Sequence, residues 1–156
     1  MGFEGRRVVA REGVFLLLLP EGERELLMQL LGELRTFLKL GPEDPRLRRL
    51  YPSAYSDDEE KDAEYRRLTH EELSEGRVAA LDTVERTIAA DELTPDQLTA
   101  WMHAVNALRL VLGTMLDVNE DDPFAVDPED PNAREYMLYG YLGLLLEEIV
   151  QAQLDG

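Results

Sequence analysis

An amide and a guanidinium interrupt an otherwise apolar run, WMHAVNALRLVLGTMLDV, at residues 101–118. The two polar residues, Asn106 and Arg109, are three positions apart and would share one face of a helix, where they could bind an anionic or peptide ligand. The same residues could be structural, because a buried charge is kept only with a partner. Arg109 would then pair with a carboxylate of a neighbouring helix and Asn106 would bond to a loop backbone. We favour the structural interpretation, because buried polar groups are usually satisfied within the fold.

A second pattern has the spacing of calcium ligands. Asp117, Asn119 and Asp121 match the first three oxygen positions of a calcium-binding loop. The sixth position lacks the turn glycine, however, and the twelfth lacks the bidentate glutamate. We therefore predict an exposed acidic loop over residues 117–130 and no metal site.

Residues for catalysis or cofactor attachment are sparse. The two histidines, His70 and His103, have no acid and nucleophile at a spacing typical of a catalytic triad. The chain has no cysteine, which excludes disulfides, thiol catalysis and a thiol-based redox sensor. Carboxylate pairs such as Glu147 and Glu148 are too common in this sequence to indicate general acid–base catalysis. We predict that the protein is not an enzyme and has no cofactor.

Charge and hydropathy narrow the class further. Acidic residues outnumber basic ones by 33 to 16, which gives a net charge of −17 that repels nucleic acids and anionic membranes. The apolar stretch VFLLLL is too short to span a bilayer. We expect a cytoplasmic protein with no direct contact to membrane. DNA binding would require several arginines to gather on one surface, namely Arg6, Arg7, Arg11, Arg46, Arg48 and Arg49.

Local patterns predict the elements that would position these residues. RRVVA and VFLLLL are separated by residues 11–13 and indicate two strands joined by a three-residue loop, in which the glycine can take a positive φ. The chain then changes to helical spacing of leucines from Glu21 to Leu40, where Gly41-Pro42 ends the run. We predict an N-terminal β-hairpin followed by an amphipathic helix.

Start signals mark the later helices. Thr69 opens the capping box THEE ahead of a helix to about Ala90, and Thr94 repeats the signal with Pro95 at the first helical position, ahead of a helix to about Leu116. Asp130-Pro131 is expected to cap the last helix. Shorter helices are expected over RLRRLYPSAY and 57–68.

These elements combine into one fold prediction. We expect a mostly α domain of about four to six helices with a short N-terminal β-hairpin. The chain would form a single domain over residues 1–156, with the hairpin in 1–20 and the helical body in 21–154.

The segment between Gly41-Pro42, where the first helix is predicted to end, and the capping box at Thr69 carries tyrosines and a run of acids. Tyr51 and Tyr55 could cover the edge of the core or form an aromatic patch with neighbouring arginines. Asp57, Asp58 and Glu59 would complement a helix N-terminus. On the surface, the same acids could dock a basic partner.

Three segments together resemble a known family. DPRLRRLYPSAYSDDEEKDAEYRRLTHEEL, WMHAVNALRLVLGTMLDV and YGYLGLLLEEIV are similar to the actinobacterial domain-of-unknown-function family 2017, over nearly the whole chain. Members of this kind are described as oxidative-stress transcriptional regulators, so the resemblance implies a regulatory role. The positions that match the family pattern are Asp44, Pro45, Tyr51, Pro52, Asp57, Asp58, Glu59, Trp101, Asn106, Arg109 and Gly113.

We therefore predict a non-enzymatic regulatory or adaptor protein of transcriptional or stress control that contacts another protein, with the transcription machinery as the candidate partner. The alternative is a small-molecule or anionic-ligand binding protein with a cleft around Asn106 and Arg109. Apolar faces on the first and last helices would also allow a homodimer. The candidate interaction residues, or structural polar core, are Tyr51, Tyr55, Asp57, Asp58, Glu59, Asn106 and Arg109.

Overall fold

The structure is a computed structural model that describes residues 6–39, 76–116 and 129–156. Within these ranges it has four helices and one antiparallel sheet of three strands, so the predicted mostly α fold with an N-terminal hairpin is confirmed. None of the described helices is long and apolar enough to cross a membrane. The elements are β1 (Val8–Arg11), β2 (Val14–Leu17), α1 (Glu21–Leu38), α2 (76–87), β3 (Glu92–Leu93), α3 (Pro95–Met115) and α4 (Ala133–Asp155).

The hairpin turn is one residue shorter than predicted. Arg11 pairs with Val14, so only Glu12 and Gly13 connect the strands, with φ of 46° and 87°. Two consecutive positive φ angles are typical of the type I′ turn, whose twist matches that of the flanking strands. The predicted three-residue loop was wrong because this turn keeps Arg11 in the ladder.

A third strand follows α2 and was not predicted. In β3, Glu92 pairs with Leu16 and Leu93 pairs with Phe15, which gives the sheet order β1-β2-β3. Two residues are too few to show the alternation that identifies a strand in sequence. β1 consequently lies at one edge of the sheet.

The helices pack on the sheet around α3. α3 contacts α4, α1 and the last two strands, and its Trp101 is fully buried. α1 contributes leucines at helical spacing, and α4 contributes Leu145 and Ile149. In α1 the leucine spacing predicted from sequence therefore corresponds to the buried side of the helix.

The helix starts agree with the predictions in one case and differ in another. Thr94 forms both bonds of the predicted capping box with Gln97. α4 begins after Asn132, which makes no side-chain cap, while the Asp130 carboxylate accepts from the Asn132 amide at 2.7 Å. The predicted Asp130 cap was wrong, because this bond closes the turn before the helix. The predicted helices over 46–68, the Thr69 cap and the loop over 117–128 lie outside the described residues.

Candidate interaction site

The predicted site residues fall into two groups in the structure. Asn106 and Arg109 lie on α3, and both are half-buried, as their positions in an apolar run predicted. The others lie outside the described residues, so their predicted roles stay predictions. These are Tyr51, Tyr55, Asp57, Asp58 and Glu59.

Arg109 lies between its own helix and α4. One terminal nitrogen donates to the Asn106 amide oxygen and the other to the Tyr139 hydroxyl, both at 3.4 Å. The guanidinium carbon is also 6.0 Å from the centre of the Tyr139 ring. The neighbouring helix thus contributes a tyrosine to these contacts, and the predicted carboxylate partner of Arg109 stays a prediction. The arrangement ties α3 to α4.

Histidines and clusters of metal-ligating side chains are features from which catalytic and metal sites are often built. His103 is exposed on α3, and His70 lies outside the described ranges. No group of three metal-ligating side chains comes together among the described residues.

One face of α4 is exposed although it carries apolar side chains. Leu144 is 48% exposed, Val150 39% and Leu154 75%, and the three lie within about 120° of one another around the helix. The opposite face carries the core residues Leu145 and Ile149. Because α4 is apolar on both sides, only one of them can be buried in the core.

This exposed face borders a groove beside the edge strand. The groove has a volume of about 580 Å³ and lies between β1 and α4. Val8 and Val9 form its strand side, and Leu144 and Val150 belong to its helix side. Its charged and amide side chains are Arg6, Glu147, Glu148, Gln151 and Asp155.

Arg7 fixes the position of β1 against α4. Its amide and one terminal nitrogen donate to the two oxygens of the Glu148 carboxylate, at 2.8 and 3.2 Å. Its Nε donates to Glu23 of α1 at 2.6 Å. Both carboxylates raise the pKa of Arg7, against the opposing effect of its own desolvation. A strand and two helices therefore meet at one guanidinium.

Tyr141 packs against this ion cluster. The Arg7 guanidinium carbon is 5.4 Å from the centre of the Tyr141 ring. The hydroxyl is buried and makes no well-aligned hydrogen bond among the described residues. Burial, together with the adjacent Glu23 carboxylate, raises the pKa of Tyr141 far above its usual value.

A second cleft of about 450 Å³ lies between α1, α3 and α4. It is mostly apolar, with Phe37, Val111 and Met115 among its lining residues, and its charged residues include Glu33 and Arg134. Asn106 and Arg109 line neither this cleft nor the groove. Ligand binding at that pair stays a prediction.

Sequence analysis did not predict the groove, although one signal was present. Val150 is exposed, although Leu145 and Ile149 of the same helix are buried. Leu144 and Leu154 extend the apolar residues around the full circumference of α4, which exceeds what one buried face needs. Arg7, grouped by sequence with candidate DNA-binding arginines, is instead held by Glu23 and Glu148.

Fold and groove together define a mostly helical protein with a short sheet and an apolar surface groove at the sheet edge. The chain belongs to the family named domain of unknown function DUF2017, whose model matches residues 5–153. The predicted family is thus confirmed.

Curated relatives come from mycobacteria. The putative oxidative stress regulator AosR of Mycobacterium leprae is 33% identical over 141 residues, which cover 77% of this chain and 65% of the relative. The oxidative stress regulator AosR of Mycobacterium tuberculosis is 36% identical over 126 residues, which cover 70% of this chain and 58% of the relative. This chain therefore spans about three fifths of the length of these relatives. No solved structure matches it.

Proposed function

We propose that this chain is a cytoplasmic regulator in the oxidative-stress response that acts by binding another protein and not by catalysis. The observation that carries the proposal is the exposed apolar face of α4, formed by Leu144, Val150 and Leu154. Apolar side chains scattered singly over a surface need no explanation, whereas a grouped set with a polar rim is typical of a protein-binding site. The names of the mycobacterial relatives support a regulatory role.

The charge of the molecule supports a basic protein as the partner. A net charge of −17 speeds the approach of a cationic surface and opposes binding to nucleic acid. DNA-binding parts of the transcription machinery have such cationic surfaces, which makes them our proposed target. The engagement of Arg7 by Glu23 and Glu148 supports the same choice, since it removes one of the arginines that direct DNA binding would use.

The lack of cysteine bears on how an oxidant signal would arrive. A thiolate is the usual protein group that reacts reversibly with oxidants, and this chain has none. In the proposal the chain therefore acts as an adaptor, and its partner supplies the response to oxidants.

Affinity capture from an actinobacterial lysate, read by quantitative mass spectrometry, tests the proposal. The bait is compared with the double variant Leu144→Arg/Val150→Arg, which places two cations on the exposed face of α4. Met137→Arg is the matched control, because Met137 is 63% exposed on the same helix but does not line the groove. A further variant reverses the charges of Asp57, Asp58 and Glu59.

We expect a component of the transcription machinery to co-purify with the wild-type chain and with Met137→Arg, and to be lost with the double variant. Loss with the charge-reversed variant as well would extend the contact to residues 57–59. The proposal fails if the wild-type and double-variant baits retain the same proteins. Because Leu144 and Val150 are exposed, equal urea unfolding of all baits is the control for folding.

A further inference from the structure

The outer edge of β1 presents backbone groups that the sheet does not use. Arg11 and Val14 flank the two-residue turn, so backbone groups of alternate residues, starting from Arg11, face β2. The Leu18 amide donates to the Arg7 carbonyl at 2.7 Å, as expected if every second residue counted back from Arg11 faces β2. The amides and carbonyls of Val8 and Ala10 therefore face away from β2. Among the described residues no further strand pairs with this edge, and an edge of this kind is a template for an added strand.

The groove places an apolar helix face beside this edge. Val8 and Val9 line it from β1, and Leu144 and Val150 line it from α4. An extended segment laid between an edge strand and a helix gains affinity from backbone hydrogen bonds and specificity from alternate side chains. The four residues of β1 match an added strand of about four residues, or roughly 13 Å at 3.3 Å per residue.

The charges around the groove select the chemistry of such a segment. Glu147 and Asp155 line the groove, against Arg6 as the opposing cation, while Glu148 is engaged by Arg7. The whole chain adds a strongly negative field. An incoming strand with lysine or arginine at alternate positions would complement both the carboxylates of the groove and the negative field of the whole chain.

We infer that β1 binds an extended, basic segment of the partner protein as an added strand, in the groove between β1 and α4. The inference rests on the proposed function and deepens it, because it specifies how the partner is bound. A second copy of this chain is a poorer occupant, since pairing two β1 edges would bring together Glu147 and Asp155 of two molecules that each carry a charge of −17.

Amide-resolved NMR of the isotope-labelled chain tests this mode of binding directly. The probe is a synthetic peptide of four Val-Lys repeats, compared with a copy N-methylated at every second residue and with four Val-Glu repeats. We expect the first peptide to slow hydrogen exchange at the Val8 and Ala10 amides at least about tenfold, as new hydrogen bonds form there. N-methylation or reversed charge should abolish the effect.

A backbone variant gives a second readout. Ala10→Pro removes one of the two outward-facing amides of β1 and leaves the bonds that join β1 to β2. We expect it to weaken binding of the Val-Lys peptide at least about tenfold, and we expect Leu144→Arg/Val150→Arg to do the same. Binding should also weaken between about 50 and 500 mM salt, because screening removes the charge attraction.

The outcomes separate this inference from the proposed function. Equal binding of the N-methylated peptide, or exchange protection confined to α4, would overturn strand addition. So would a homodimer that protects the Val8 and Ala10 amides in the absence of peptide. If Ala10→Pro still captures the cellular partner while the α4 double variant loses it, the proposed function stands and strand addition fails. If neither variant loses the partner, both fail.

Discussion

At the scale of single residues, the buried indole N–H of Trp101 is satisfied by a side chain of another helix. The fully buried Trp101 donates its indole N–H to the Thr87 hydroxyl at 2.8 Å, and Thr87 in turn donates to the Thr83 carbonyl at 2.7 Å. This chain of bonds joins α2 to α3 inside the core. It gives a threonine in a helix a defined structural role.

Thr87→Val is expected to lower the free energy of unfolding by about 1–3 kcal/mol, because it leaves the buried indole N–H without an acceptor. Thr87→Ser keeps the hydroxyl and should cost less. Urea unfolding followed by the fluorescence of the single tryptophan measures both. Equal loss in the two variants would mean that packing of the methyl group, and not the hydrogen bond, matters at this position.

Tyr141→Phe is expected to leave stability at pH 7 unchanged or slightly raised, because the buried hydroxyl makes no well-aligned bond among the described residues. The substitution should also change how the free energy of unfolding falls at alkaline pH. The raised pKa of Tyr141 means that the folded chain keeps this proton above about pH 10, where the unfolded chain has lost it. The contribution of Tyr141 to wild-type stability is therefore fully present below about pH 10 and is lost as the pH rises further.

Urea unfolding of both proteins at about pH 7, 9, 10 and 11 measures this difference. We expect the curve of Tyr141→Phe to fall less steeply above about pH 10. The control Tyr139→Phe, which removes an acceptor from Arg109, should instead lose up to about 1 kcal/mol at neutral pH. Parallel wild-type and Tyr141→Phe curves across this range would refute the assignment.

At the scale of elements, one arginine joins the sheet to two helices. The Arg24 guanidinium of α1 donates to the carbonyls of Leu17, Leu19, Ile88 and Ala90 at 2.6 to 3.1 Å. These carbonyls lie at the end of β2, before α1 and after α2, where helix and strand geometry supplies no partner. A planar group with five donors can satisfy several at once.

Arg24→Lys is expected to cost about 2–4 kcal/mol of unfolding free energy, because one ammonium cannot reach all four carbonyls. The matched control is Arg35→Lys. Arg35 joins α1 to Asp82 and Glu85 of α2 in largely exposed ion pairs, which are worth less than about 1 kcal/mol. Urea unfolding compares the two variants. Similar costs would show that Arg24 is no more than a surface contact.

The hairpin turn offers an element-scale prediction of opposite sign. Glu12 holds a positive φ that asparagine adopts more easily, so Glu12→Asn should stabilise the fold by about 0.5–1 kcal/mol. Gly13→Ala, which places a Cβ at φ 87°, should destabilise it by about 1–2 kcal/mol. Thermal melts check both. A loss of stability in Glu12→Asn would contradict the I′ assignment.

At the scale of the whole molecule, a net charge of −17 spreads like charge over the surface. Such self-repulsion opposes the compact state and is screened by salt. We expect the melting temperature to rise between about 10 and 300 mM sodium chloride, where the Debye length falls well below 10 Å. Choline chloride at equal ionic strength is the control for specific sodium binding. A melting temperature that salt leaves unchanged would show that repulsion is already compensated.

Much of this protein was determined by its sequence. The leucine spacing of α1, the Thr94 capping box and the change from strand to helix near Pro20 were readable because each depends on residues a few positions apart. The net charge and the lack of any thiol follow from composition alone, and they restrict the function to chemistry without cysteine.

The tertiary structure decided how distant residues meet. Arg7 and Glu148 are 141 positions apart, and only packing shows that they bind each other and so hold β1 against α4. The same holds for β3, whose two residues form a strand only because β2 offers an edge. Local sequence patterns show which faces of a helix are apolar. Because α4 carries apolar residues all round, the elements packed against it decide which face stays exposed and where the groove lies.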